Sequence, residues 1–321
     1  MQPPDPDDPI SARGTAASDG LTVAIDMGAG YGEGLHLGVT LGGGGVYFVA
    51  WQVSYLYELA ARGVDLAGAD RVVGTSAGSL VASVLEAGHL RRLHTELKVL
   101  AKLPRLVGAL APSSGLASSQ ERARDLFALA DDAEPARIRH IGHAALAAAT
   151  PPVGTMPRNI GVVLGTRRWP ADGLQITCVD TFTGERCLVT RAAKVGIARA
   201  VAASSAIPGV FAPQPIGDRR CMDGGVSGSG THVDLLAGAR RAIVLGLTDG
   251  AGVDVGAMTV APGSVRRELD ALAGTGTQVM FKMPERVDLE TLMDPAAVPD
   301  AVAMGRRQAA ADADELRSFL A

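Results

Sequence analysis

Twice in its first quarter the chain closes a short apolar run on glycine and then opens a helix-like segment. "LHLGVTL" (35–41) runs into Gly42–Gly45 and a helical pattern from Val46 to Arg62, stopped by Gly63. "RVVG" (71–74) runs into "TSAGSLVASVLEAG", whose helical part closes at Gly88. A short strand that ends in a glycine turn and feeds a helix is the building unit of an α/β sheet. In such sheets the loops at the carboxyl ends of the strands carry the site. The repetition therefore predicts both a fold class and the place to look for chemistry.

The rest of the chain fits that layout. "LTVAI" (21–25) reads as a further strand, followed by the glycine-rich "DMGAGYGEG" (26–34). A dinucleotide fingerprint needs a helix after its glycines, and a strand pattern follows here, so this loop is not read as a phosphate site. Residues 89 to about 150 are helical in character. "LQITCVDTFTGERCLVT" alternates like two strands around a turn near Thr183–Gly184. "VGIARAVAASSAIPGV" reads as a helix ending before Pro208, "RRCMD" and "RAIVL" as strands, and "QVMFKMP" as a strand before a long final helix from about Pro295 to Leu320. The expected organisation is a disordered tail at 1–20, acidic and proline-rich, and one domain at 21–321. Its motif-bearing core covers about 36–247, and a C-terminal strand and helix occupy 248–321.

Composition narrows the partners. Of 321 residues 47% are hydrophobic and 20% charged, enough for a sizeable core, and the net charge of −4 argues against nucleic acid. No apolar run is long and clean enough to span a bilayer. "LKVLAKLPRLVGAL" (97–110), with Lys98, Lys102 and Arg105 among leucines, reads either as a lid or membrane-surface contact or as helices packed over the core. The expected setting is cytoplasmic, with peripheral attachment to a membrane as the variant. Cys178, Cys187 and Cys221 show no metal-ligand spacing and read as reduced, buried thiols; the first two flank the hairpin.

Ser76 lies in the chain's one G-x-S-x-G, Gly74 to Gly78, in the strand-turn-helix setting a nucleophilic serine requires. A helix starting after it would aim its amides at the serine and favour developing negative charge. Gly43, Gly44 and Gly45 can turn N–H groups inward as oxyanion donors. For a base the chain offers Asp223, followed by Gly224 and Gly225, and His232, the one histidine near a motif. Asp249, in "DGA", is a second carboxylate of similar form.

"GGGGV" leading into a helix, "GADRVVGTSAGSLVAS", and "SSAIPGVFAPQPIGDRRCMDGGVSGSGTHVDLLAGARRAIVL" together resemble the patatin-like phospholipases, in their bacterial branch, over about residues 36–247. The resemblance implies a three-layer α/β/α hydrolase fold with a mainly parallel central sheet. It implies a Ser–Asp dyad of Ser76 and Asp223, an oxyanion hole at Gly43–Gly45, and a lipid or acyl-ester substrate hydrolysed without cofactor or metal. Two other readings stay open: a Ser76–Asp223–His232 esterase, and a silent lipid- or protein-binding module. The reason for the second is Phe48, which stands where the family pattern has its last loop glycine. With Trp51 and Tyr55 it shares a helical face, read as core or as an acyl-chain wall.

Overall fold

The computed structural model describes residues 26–100, 116–130, 133–249, 263–285 and 291–321, with backbone only at 98–100. The expected tail, the strand "LTVAI" and most of the leucine–lysine stretch 97–110 lie outside the described residues.

Eight strands form one sheet: β1 (Leu37–Leu41), β2 (Arg71–Gly74), β3 (Leu174–Asp180), β4 (Arg186–Val189), β5 (Gln214–Ile216), β6 (Arg219–Asp223), β7 (Arg241–Leu245) and β8 (Gln278–Lys282). The hydrogen-bonded path is β5-β6-β3-β2-β1-β7-β8, with β4 paired to β3 off it. Pairing is parallel from β3 through β2, β1 and β7 to β8, and antiparallel among β3, β4, β5 and β6. The nine α-helices of the described residues are α1 (Gly45–Ala61), α2 (Ala77–Glu86), α3 (Leu90–Leu100), α4 (Ser118–Ala128), α5 (Pro135–Ala147), α6 (Thr155–Leu164), α7 (Ile197–Ser204), α8 (Ser264–Gly274) and α9 (Val298–Leu320).

Strand alternation sorts the core into two faces. Val39, Leu41, Val72, Ile176, Ile243 and Leu245 pack in a large cluster with residues of α1, α2, α3, α7 and α9. Val73, Ala242 and Val244 point the other way, against Leu235, Leu236 and Leu272 of α8. Helices therefore cover both faces of a mostly parallel sheet, the layered arrangement the β–Gly–α units imply.

One departure from regularity positions the site. β2 pairs with the first half of β3, ending at Gly74↔Ile176, and β6 pairs with its second half, ending at Cys178↔Asp223. Ile176 and Cys178 also pair with Val189 and Cys187 of β4. β4 thus holds one edge of β3, while β2 and β6 run head-on along the other.

α1 is held from outside by α9. Trp51 Nε1 donates to Gln308 Oε1 at 2.6 Å, Tyr55 Oη to Asp312 Oδ2 at 2.7 Å, and Ser54 Oγ to the Val302 carbonyl at 2.8 Å. Gly305 of α9 packs where a Cβ would come within 2.7 Å of the Trp51 carbonyl oxygen. Among the described residues no helix is long and apolar enough to cross a membrane.

Candidate active site

The turns after β1 and β2 lie side by side because the strands are in register, Leu41 beside Gly74. Thr75 N–H donates to the Leu41 carbonyl (3.0 Å) and Gly78 N–H to the Gly42 carbonyl (3.1 Å). A Cβ at Gly78 would overlap the Leu41 carbonyl, and one at Gly74 would sit 2.6 Å from Ser79 Cα. Both glycines are demanded by this approach of turn to turn.

Ser76 sits between them with φ 50° and ψ −119°, a left-handed backbone that an L-residue adopts at a cost of about 1–3 kcal/mol. Its surroundings hold it there. The Ser76 N–H donates to Ser204 Oγ (2.8 Å), and its carbonyl accepts from Ser79 Oγ (2.6 Å) and Ser205 Oγ (3.2 Å). The side chain is left to project from the tight turn at the N-terminus of α2.

Asp223 closes β6 opposite this turn. Its Oδ2 accepts from Ser76 Oγ at 2.7 Å, and its Oδ1 accepts from the Gly225 N–H at 2.8 Å. Gly224 is required between them, since a Cβ there would fall 2.5 Å from Thr177 Oγ1. The carboxyl is fully buried, and that burial pushes its pKa up to about 7 against the opposing pull of the Gly225 and Ser76 donors.

The four glycines divide. Gly42 and Gly43 spend their N–H groups on the carbonyls of Leu245 (2.9 Å) and Gly230 (3.2 Å). Gly44 and Gly45 open α1, where first-turn amides lack helical acceptors. Gly45 has φ +68°, and a Cβ on it would meet the Leu292 carbonyl at 2.5 Å. The N–H of Gly43, expected among the inward donors, is thus already occupied.

Phe48 lies in the core. It is fully buried, stacked on Trp51 (centroids 5.3 Å apart), which stacks on Tyr55 (4.9 Å), and its Cβ packs where Gly44 has none. Val46 and Val49, on another face of α1, line the cavity instead. That cavity, about 270 Å³, opens beside Ser76 and Ala77 and is walled largely by apolar groups, among them Leu80, Leu97, Met156, Ile160 and Phe211.

His232 is fully buried one turn from the motif, with its backbone in the left-handed region (φ 49°). Arg186 Nη1 lies 3.3 Å from its Nδ1, and Nε2 lies 3.3 Å from the Gly224 carbonyl. A guanidinium can only donate, so Nδ1 accepts and the Nε2–H donates to Gly224. Burial, reinforced by the Arg186 charge, pushes the imidazole pKa down to about 3, so the ring is neutral. Arg186 itself forms a fully buried two-pronged pair with Asp234, both contacts at 2.7 Å. The other carboxylate considered, Asp249, pairs with Arg266 at 3.1 Å.

Several participants stand outside the residues the sequence singles out by role. Ser204 and Ser205, which open the "SSAIPG" run, brace the Ser76 backbone. Glu268, on α8, is buried and accepts from Ser229 Oγ at 3.0 Å, tying α8 to the loop after the D-G-G motif; Ser229 Oγ in turn accepts the His232 N–H at 2.9 Å. Burial raises the Glu268 pKa to about 8. The cavity wall on α6, Met156, Ile160 and Val163, carries no motif. The three cysteines converge, with sulfurs within 4.8 Å of one another.

No curated protein matches the chain significantly. Among solved structures, VipD from Legionella pneumophila is similar over 87% of this chain at 15% identity and a TM-score of 0.40, and the type III effector protein ExoU over 88% at 18% identity and 0.35. The chain spans 66% and 53% of the lengths of those two. The family model described as patatin-like phospholipase matches residues 39–236, from β1 through the D-G-G motif. The chain therefore belongs to the patatin-like phospholipase family.

Proposed function

We propose that this protein hydrolyses the acyl ester bond of a lipid with Ser76 as nucleophile and Asp223 as its base. The observation that carries the reading is the 2.7 Å hydrogen bond from Ser76 Oγ to a buried carboxyl whose pKa lies near 7. An ordinary aspartate is too weak a base for a serine hydroxyl; burial brings this one close to the neutral range where transfer in both directions is efficient.

The steps follow. Ser76 Oγ attacks the ester carbonyl carbon while its proton passes to Asp223 Oδ2. In this reading the N–H groups of Gly44 and Gly45 receive the oxyanion, aided by the positive end of α2. Collapse expels the alcohol, which takes the proton back from Asp223 and leaves an acyl group on Ser76. Asp223 then deprotonates a water that attacks this second ester, releasing the fatty acid and returning the proton to Ser76. Asp223 serves the water as it served the serine.

The apolar cavity beside Ser76 supports a fatty-acyl chain as the bound part of the substrate. Val162, exposed on α6 while Ile160 and Val163 of that helix line the cavity, supports a peripheral approach to a lipid surface. His232 is not assigned a step, since both ring nitrogens are engaged elsewhere. The test is hydrolysis of a panel of phospholipids, neutral glycerides and short-chain esters by purified protein and its Ser76→Ala variant. Release of fatty acid by the parent and not by the variant is expected. Equal release by both, or none by either, overturns the proposal, the latter in favour of a binding module.

A further inference from the structure

Cys178 of β3, Cys187 of β4 and Cys221 of β6 come from three adjacent strands and point to one face of the sheet. Cys178 is the direct cross-strand partner of Cys187 on one side and of Asp223 on the other. Cys221 lies two residues before Asp223, so the pleat turns its side chain to the same face. The three sulfurs lie within 4.8 Å of one another and all three thiols are free.

We propose that this trio is a binding site for a thiophilic divalent cation of the zinc and cadmium class, held by three thiolates. Strand register brings three soft ligands to one point with no local sequence spacing of the kind seen in zinc fingers. Charge decides between a divalent and a monovalent ion. Arg219 Nη1 lies 3.5 Å from Cys187 Sγ. A divalent cation, three thiolates and this guanidinium sum to zero. Cuprous ion would leave one negative charge uncompensated in an apolar core, which is costly. Arg219 is partly exposed while the sulfurs are not, so its side chain marks the route from solvent.

Binding exchanges three S–H bonds for three metal–sulfur bonds and releases three protons to buffer, with no change of oxidation state. A fourth position on zinc goes to water, as in other sites with three protein ligands. The ion would cross-link β4, β3 and β6, the last of which ends in Asp223. It would thus raise the midpoint of thermal unfolding by mass action.

The experiment uses reduced, metal-free, full-length protein titrated with Cd(II), followed by the sulfur-to-cadmium charge-transfer absorption, and with Zn(II) against a chromophoric chelator. One ion per chain is expected, with affinity falling by at least about 10–100-fold in Cys187→Ser, as loss of even an outer-shell partner costs that much. Equal binding by parent and Cys187→Ser overturns the proposal. X-ray absorption at the zinc edge of the unaltered protein does not depend on the variant folding: three sulfur neighbours are expected, and one or none overturns the site.

Discussion

Asp223 accepts from Ser76 through one carboxyl oxygen and from the Gly225 backbone through the other, so the carboxyl cannot rotate without losing a bond on either side. Asp223→Asn keeps the shape and the Gly225 bond but presents an N–H to Ser76 in place of a base. The expected result is a folded protein whose kcat/KM falls by about a thousandfold or more, the scale of losing a nucleophile's base. A loss of less than tenfold in steady-state assays refutes Asp223 as the base.

The raised carboxyl pKa gives the rate a direction with pH. Asp223 acts as a base only when ionised, so kcat/KM should climb as pH passes through about 7 and level off above it. A profile already flat between pH 5 and 8 contradicts this.

Stability runs the opposite way. A buried carboxyl whose folded pKa is raised binds its proton more tightly folded than unfolded. Its contribution is therefore full below the ordinary carboxyl values of 3.8 and 4.5 and is lost as pH rises through about 7 for Asp223 and about 8 for Glu268. The melting temperature should fall across that window in the parent. The fall should be shallower in Glu268→Gln, and an unchanged slope there removes Glu268 from the account.

Much of this architecture is legible from glycine placement. β2 spans the expected "RVVG", α1 begins one residue before the expected Val46, and the turn after β3 falls at Gly184, where φ is +75°. These succeed because turn chemistry and apolar periodicity are local. α6, α8 and the three-residue β5 are not legible: α8 carries few buried residues, and β5 contains Pro215. The buried Arg186–Asp234 pair, and the arrival of Cys221 beside the hairpin cysteines Cys178 and Cys187 through the pairing of β3 with β6, join distant parts of the chain that no local pattern links.

His232 shows what proximity in sequence leaves out. Because its nitrogens serve Arg186 and Gly224, His232→Asn, which tolerates the same left-handed backbone, should retain kcat/KM within about tenfold per folded molecule while melting at lower temperature. A thousandfold loss in a folded variant would instead hand the reaction to a triad.

Phe48 and Ile160 separate packing from specificity. Phe48→Ala empties a fully buried ring site and should cost about 3–5 kcal/mol in denaturant unfolding, with acyl-chain preference unchanged. Ile160→Trp fills the cavity and should shift preference toward shorter chains in an ester series. Reversal of the two outcomes would place the acyl chain against Phe48.

The grip of α9 on α1 also sets a timetable. Gly44 and Gly45 open α1, and α1 is held by Gln308, Asp312 and the Val302 carbonyl, more than two hundred residues later. Ser76 and Asp223 are both made well before those partners leave the ribosome. The nascent chain therefore passes through a stage in which both are present while α1 still lacks its partners on α9. The outer support of α1 is therefore the last part of this arrangement to be synthesised, completed only when α9 docks.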